Sequence, residues 1–253
     1  SWRLITLKLN SKRVPGWIYT KVKKVVDKDN IEFQPKKETI KFYLNKFLCG
    51  NKANIALDIG PGPGINTSLI LENSKELICV ESSSEAIGFL KEKFPAVNCI
   101  NEDFLSINFE KKFNLICAFD VIEHIEDDKS AIIKIKNILS SEGIVLATVP
   151  AFQSLWSSHD DLVHHKRRYL KKNLISLFKD SGFEVLECRY FNFFLFIPAY
   201  IFRQFKNIFK IKSKVSDIER SKNFNFIMKP LFLIDVWLSS RFNFPFGISL
   251  ILI

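Results

Sequence analysis

Leu57-Asp58-Ile59-Gly60-Pro61-Gly62-Pro63-Gly64 decides the fold. The apolar run before it (54–59) reads as a strand, and a helical pattern opens near residue 65. The turn between them is G-x-G-x-G. It is not the G-x-G-x-x-G of dinucleotide-binding turns, because Ile65 stands at the sixth position. Glycine at such a turn lets the backbone approach a ligand closely. Asp58 alongside suits a ligand with positive charge rather than a pyrophosphate, and Pro61 and Pro63 remove N–H donors that a phosphate would need.

Working outward, short apolar runs alternate with amphipathic stretches as far as residue 191: ELICVE, SSEAIGFLKEKF, VNCIN, FNLICAFD, DDKSAIIKIKNIL, GIVLATVP, KKNLISLFKDSG and FEVLECRYF. Strands separated by helical patterns of this length predict βαβ units, hence an α/β fold with a doubly wound, mostly parallel sheet covered on both faces. Gly143 and Gly182 stand where helix stops are expected. FGISLILI (246–253) reads as a final strand. The predicted organisation is a basic helical extension (1–50, with a helical pattern over 38–48), a core (51–196 and 242–253) and a helical cap inserted at 197–241.

Composition narrows the class. Apolar residues at 47% and charged residues at 25% exclude disorder, collagen and coiled coil. The five cysteines are scattered, four of them inside strand-like runs, and read as small buried hydrophobes of a reducing, cytoplasmic compartment rather than a disulfide framework. The longest apolar stretch (191–202) is broken by Asn192 and Pro198 and is too short to span a bilayer. The net charge of +10 favours polyanionic surfaces in general.

Acids recur at the tips of successive predicted strands: Asp58, then Glu81, then Asp103 beside Phe104, then Asp120. One acid at a strand end is an ordinary helix cap. Four in order mark the edge where open α/β sheets bind ligands. An acid ending the second strand is placed to accept ribose hydroxyls, and Asp103 with Phe104 could accept from an adenine amino group and cover its ring.

LDIGPGPG, CVE, NEDF and FDVIEHI, in this order, resemble the class I S-adenosylmethionine-dependent methyltransferases, most closely the branch that methylates small molecules and carries a D-x-x-E-H-I segment. The resemblance implies a Rossmann-like sheet of seven strands with the last one antiparallel, and S-adenosylmethionine as cofactor. It places Asp58, Gly60, Pro61, Gly62 and Gly64 at the methionine moiety, Glu81 with Ser82 at the ribose, Asp103 and Phe104 at the adenine, and Asp120 with Val121 near the sulfonium. The two prolines make this turn stiffer than most in the family.

All four histidines lie between 124 and 165, three of them in SSHDDLVHHKRRY (157–169). This segment follows the fifth strand and hangs over the same sheet edge. Leu155-Trp156-Ser157, His159-Asp160, His165 and Arg167-Arg168-Tyr169 look like the signature of one subset of these enzymes. Three readings stand open. His165 or His124 is a general base working beside Asp120, since imidazole titrates near neutral pH, while Arg167 and Arg168 clamp an anionic group and Trp156, His159 and Tyr169 complete the acceptor pocket. Alternatively His159, Asp160 and His164 or His165 bind a metal at permissive spacing; the resemblance is to enzymes that mostly work without one, and none is expected. Lastly, the loop is a lid, with Asp160 and Asp161 pairing to Arg167 and Arg168.

In the cap, Phe202, Phe205, Ile208 and Phe209 oppose Arg203, Lys206, Lys210 and Lys212, an apolar stripe against a cationic face. It fits a lid helix packed on the core or a peripheral helix on an anionic membrane surface. The expected activity is methyl transfer to O or N of a small, apolar or lipid-like acceptor. The alternatives are an RNA methyltransferase, disfavoured for want of an RNA-binding motif, and a catalytically silent cofactor-binding protein at a membrane surface. The sequence carries no signal for an oligomeric state.

Overall fold

A computed structural model describes residues 35–198, 200, 201 and 222–253. The basic segment 1–34 and the amphipathic stretch 203–214 lie outside the described residues.

The described elements run α1 (Pro35–Leu48), β1 (Ala53–Ile59), α2 (Thr67–Glu72), β2 (Ser74–Val80), α3 (Ser84–Lys93), β3 (Asn98–Ile100) and β4 (Phe113–Phe119). They continue with a 3-10 turn (Ile122–His124), α4 (Asp128–Ile138), β5 (Leu139–Pro150), a second 3-10 turn (Gln153–Leu155), α5 (Ser158–Leu162), α6 (Lys171–Asp180), β6 (Cys188–Phe191), α7 (Lys222–Arg241) and β7 (Ser249–Leu252). The strands form one seven-stranded sheet in the order β3-β2-β1-β4-β5-β7-β6. β1 to β5 pair in parallel, and β7 inserts antiparallel between β5 and β6. The order reverses beside β1, between β1 and β4, so the C-terminal ends of these two strands open a crevice at a topological switch point.

Alternation along the strands builds two cores. One face gathers Leu57, Ile59, Val80, Ile116 and Val149 under α4 and α6. The other gathers Ala56, Leu77, Leu115, Leu146 and Ile251 under α1 and α2. α1 thus covers the sheet through Ile40, Tyr43 and Leu44, all nearly inaccessible, and also packs on α7.

The helix stop expected at Gly182 is present: Gly182 has φ +84°, its N–H donates to Lys179 O and Phe183 N–H to Phe178 O, a Schellman closure. Gly143 differs. α4 ends at Ile138 and the chain passes directly into β5, which contains Gly143. The pairing there jumps from Phe113↔Leu139 to Leu115↔Ile144, and a Cβ on Gly143 would stand 2.9 Å from Phe113 O. Glycine admits the bulge rather than stopping a helix. The sixth strand is also shorter than the run 183–191 predicts, because β7 offers it only Ser249–Leu252 to pair with; Leu186 and Glu187 donate irregularly to the Ile253 carbonyl.

Beyond β6, α7 is anchored by a buried carboxylate. Asp235 accepts from Asn192 N–H at 2.9 Å and Phe194 N–H at 3.0 Å. Burial pushes its carboxyl up to about 6 against those bonds.

Candidate active site

The glycine turn leaves β1 with Gly60 at φ +60°, Gly62 at +56° and Gly64 at +78°, a region side chains rarely adopt. At Gly60 a Cβ would also lie 2.8 Å from Val121 Cγ2, across the crevice on the turn after β4. Asp58 points the other way: it is 1% exposed, and its Oδ2 accepts the Thr67 hydroxyl at 2.8 Å. Burial, aided by the Glu81 charge and opposed by Thr67, pushes its carboxyl up to about 7.

Glu81 follows β2 and reaches back under the turn. Its Oε2 accepts Gly62 N–H at 3.0 Å and its Oε1 accepts Ser83 N–H at 2.9 Å. Desolvation raises its carboxyl, and the N–H groups of Ser83 and Gly62 work against that rise. A carboxylate offers about four lone-pair directions, so Glu81 can hold the turn and still accept further hydrogen bonds. Ser82 stands 3.5 Å from it. Asp103 is exposed, with Oδ1 taking Leu105 N–H at 2.7 Å. Phe104 is buried in the core, with the Lys134 ammonium over its ring.

Asp120 is held at φ +55°, uncommon for a residue with a side chain. Thr148 on β5 fixes it, accepting its N–H at 2.9 Å and donating Oγ1 to its Oδ1 at 3.1 Å. Its Oδ2 pairs with the ammonium of Lys36, from the first turn of α1. Burial lowers the Lys36 ammonium, while the charge of Glu123 opposes the drop.

The turn 122–124 then swings Glu123 inward to 0% exposure. Neither of its carboxylate oxygens meets a hydrogen-bond donor from another residue. Burial raises this carboxyl, while a hydrogen bond from its own amide and the charges of Lys36 and Arg168 oppose the rise. His124 packs edge-on against His165 at 4.8 Å between ring centroids. Burial and the neighbouring His165 bring His124 down to about 4, with its contact to the His164 backbone opposing them.

The histidine loop is organised by Asp160. Its Oδ1 takes Arg168 Nε at 2.8 Å and lies 2.8 Å from His165 Nδ1, while its Oδ2 accepts Ser157 N–H at 2.9 Å. Burial opposes the charge, yet the bonds from His165 and Arg168 hold this carboxyl well below the ordinary range. An ionised Asp160 requires His165 Nδ1 to be the donor, and Nε2 faces Glu123 Oε1 at 3.8 Å. Arg168 also donates to Ala151 O at 3.0 Å.

The structure therefore turns Arg168 inward onto Asp160, the pairing of the lid reading rather than the clamp on a substrate. Arg167 pairs with Asp128 at 2.9 Å, and the Tyr169 hydroxyl donates to the same carboxylate at 2.7 Å. Trp156 Nε1 donates to Asp161 at 3.0 Å, and His159 is half-buried in α5. Among the described residues, the cluster with metal-ligand spacing is Glu123, His124 and His165, not the set His159, Asp160 and His164 or His165 suggested by spacing. Sequence reasoning assigned no role to Glu123 or Lys36. Glu123 had one signal, an acid following two apolar residues in VIEHI. Lys36 had none.

The sheet order, the antiparallel seventh strand and a glycine turn opposite strand-end acids define a class I, Rossmann-like methyltransferase architecture. A family model described as a methyltransferase domain matches residues 32–188. The chain belongs to that family, and S-adenosylmethionine is the cofactor that goes with it.

Among similar proteins, a ribosomal RNA small subunit methyltransferase A of Phocaeicola vulgatus is 40% identical over 60 residues, 23% of this chain and 21% of that protein. A probable S-adenosylmethionine-dependent methyltransferase of Mycobacterium tuberculosis is 23% identical over 144 residues, 55% of this chain and 53% of that protein. The chain thus spans between about a fifth and about half of these curated relatives. Among solved structures, an S-adenosylmethionine-dependent methyltransferase from Clostridium acetobutylicum superposes with TM-score 0.56 at 16% identity, covering 68% of this chain and 90% of that one. The N-methyltransferase NodS from Bradyrhizobium japonicum, in complex with S-adenosyl-L-homocysteine, superposes with TM-score 0.53 at 16% identity, covering 68% and 88%. These identities carry the fold alone.

Proposed function

We propose that this chain transfers a methyl group from S-adenosylmethionine to O or N of an apolar, lipid-like acceptor at an anionic membrane surface. One observation carries the choice of acceptor. In and just beyond the cap, Ile197, Ile201, Leu233, Ile234, Trp237 and Phe242 are each 45% or more exposed. Singly such residues are normal, but a group with an amphipathic Trp marks an interaction surface. Arg241 lies 4.4 Å over the Trp237 ring, pairing a cation with an interfacial aromatic. No helix among the described residues is long and apolar enough to cross a membrane, so the contact proposed is peripheral.

The cofactor supplies a methyl group already activated on a sulfonium. The glycine turn gives it room, and the close approach of Gly60 to Val121 leaves no space there for another side chain. Glu81 accepts from the ribose with its remaining lone pairs. The second oxygen of Asp103 accepts from the adenine amino group, and Phe104 supports that turn from below. Asp120 faces the positive sulfur; a carboxylate that already holds the Lys36 ammonium suits a sulfonium in its place. His165, its Nδ1–H committed to Asp160, keeps an Nε2 lone pair for the acceptor's proton.

Anionic phospholipid vesicles with methyl-labelled cofactor test the proposal. The chain should sediment with vesicles at low salt, release at high salt, and put label into the solvent-extractable fraction. Trp237→Ser with Ile234→Ser should weaken sedimentation without changing the affinity for S-adenosylhomocysteine. Indifference to vesicles at low salt, or label that enters RNA instead of lipid, would overturn the choice of acceptor.

A further inference from the structure

We propose that Glu123, His124 and His165 form a binding site for one divalent transition-metal ion of the zinc class. Three observations converge. The ligand atoms of these residues lie within 4.8 Å of one another, and His165 Nε2 is 3.8 Å from Glu123 Oε1. Tetrahedral ligands about 2.0–2.2 Å from zinc are roughly 3.3–3.5 Å apart, so side-chain rotations of about an ångström close the set. Second, Glu123 is fully buried and its carboxylate oxygens meet no hydrogen-bond donor from another residue. Buried polar groups are rarely left so, and an orphaned carboxylate aimed at two imidazoles is what an absent cation leaves behind.

Third, His165 has Nδ1 engaged and Nε2 turned toward Glu123. His165 Nδ1 is fixed by the Asp160 carboxylate at 2.8 Å, and His124 contacts the His164 backbone. This is how metal-bound histidines are oriented, with the distal nitrogen donating to a carboxylate or carbonyl. Asp160 is held in turn by Arg168 and Ser157. Lys36 and Arg168 are the cations that face Glu123, and an incoming ion competes with them for its charge.

Two nitrogens and one oxygen leave an open coordination position, as in catalytic rather than structural zinc sites. The site adjoins Asp120, which the functional proposal sets at the sulfonium. An ion there would hold the acceptor oxygen and lower its pKa. His165 would then be a ligand, with a direct base role only in the metal-free chain. The inference leans on the methyltransferase reading for the use of the ion but not for its presence, since uptake is measured without turnover.

The experiment is titration of the chelator-treated full chain with Co2+, read by visible absorption and by metal content after gel filtration. About one ion per chain is expected, with the ligand-field bands of a four- or five-coordinate N/O site, displaced by Zn2+. Glu123→Gln and His165→Ala should each weaken uptake about a hundredfold, and Asp160→Asn about tenfold, in line with losses on removing outer partners. His159→Ala should bind as the parent chain does. X-ray absorption of the parent chain counts two imidazoles whether or not the variants fold. A folded parent chain that takes up no stoichiometric Co2+, or uptake unmoved by both Glu123→Gln and His165→Ala, overturns the site.

Discussion

Replacing Arg168 by Met should unfold the histidine loop's anchor and with it much of the protein's thermal stability. The guanidinium side chain is 3% exposed, and its partner Asp160 is 0% exposed. It donates Nε and NH2 to Asp160 at 2.8 and 2.7 Å and NH1 to the Ala151 carbonyl at 3.0 Å. Met fills the volume but leaves a carboxylate in the interior without its main counter-charge. Removing one partner of a buried pair costs about 3–5 kcal/mol. At about 2–4 °C per kcal/mol for a chain of this size, the melting temperature should fall by roughly 6–20 °C. Calorimetry at pH 7 reads it directly. Adding Asp160→Asn to Arg168→Met should recover part of the loss, because the orphaned charge is then gone. Arg168→Lys should rescue little, since an ammonium cannot serve Asp160 and Ala151 O together. A single variant that melts within about 2 °C of the parent, a loss below about 1 kcal/mol, would refute the claim that this pair organises the loop.

Asp58 gives a pH prediction. Its folded pKa, raised to about 7 from 3.8, means that its contribution is fully present below the unfolded value and is lost as pH rises through about 7. Asp58→Asn, which can still accept from Thr67, should therefore gain on the parent from pH 5 to pH 8.5, by at most about 3 kcal/mol; an equal difference at both pH values in the melting of ligand-free protein would contradict this. Gly60→Ala should cost about 1–3 kcal/mol through its positive φ and its clash with Val121; calorimetric titration should also show at least a tenfold loss in S-adenosylhomocysteine affinity. Asp235→Ala strands the N–H groups of Asn192 and Phe194 at about 1–3 kcal/mol, and hydrogen exchange should rise in α7 before it rises in the sheet.

Much of the fold was legible because it is written locally. Alternating apolar runs and helical stretches specify a parallel α/β sheet almost element by element, and glycines with strand-end acids mark its ligand edge. The errors, Gly143 and the length of β6, fall where pairing across the sheet overrides local pattern. The site divides in the same way. Asp58, Glu81 and Asp120 could be found by position, since a parallel strand delivers whatever ends it to the crevice. Their directions could not: Asp58 turns down to Thr67 while Glu81 reaches up to the glycine turn.

Least legible were the contacts that close over long separations. Nothing near Lys36 connects it to Asp120, and only the docking of α1 on the sheet brings the two together. The sequence by itself determined the class of sheet, the place of its crevice and the chemistry of the residues that reach it, because strand and helix periodicity is a local property of the chain. The tertiary structure alone decided that Glu123 is buried without a donor from another residue and that Arg168 serves Asp160 rather than a substrate. Short turns have no periodicity to read, so their side-chain directions are set by what packs against them.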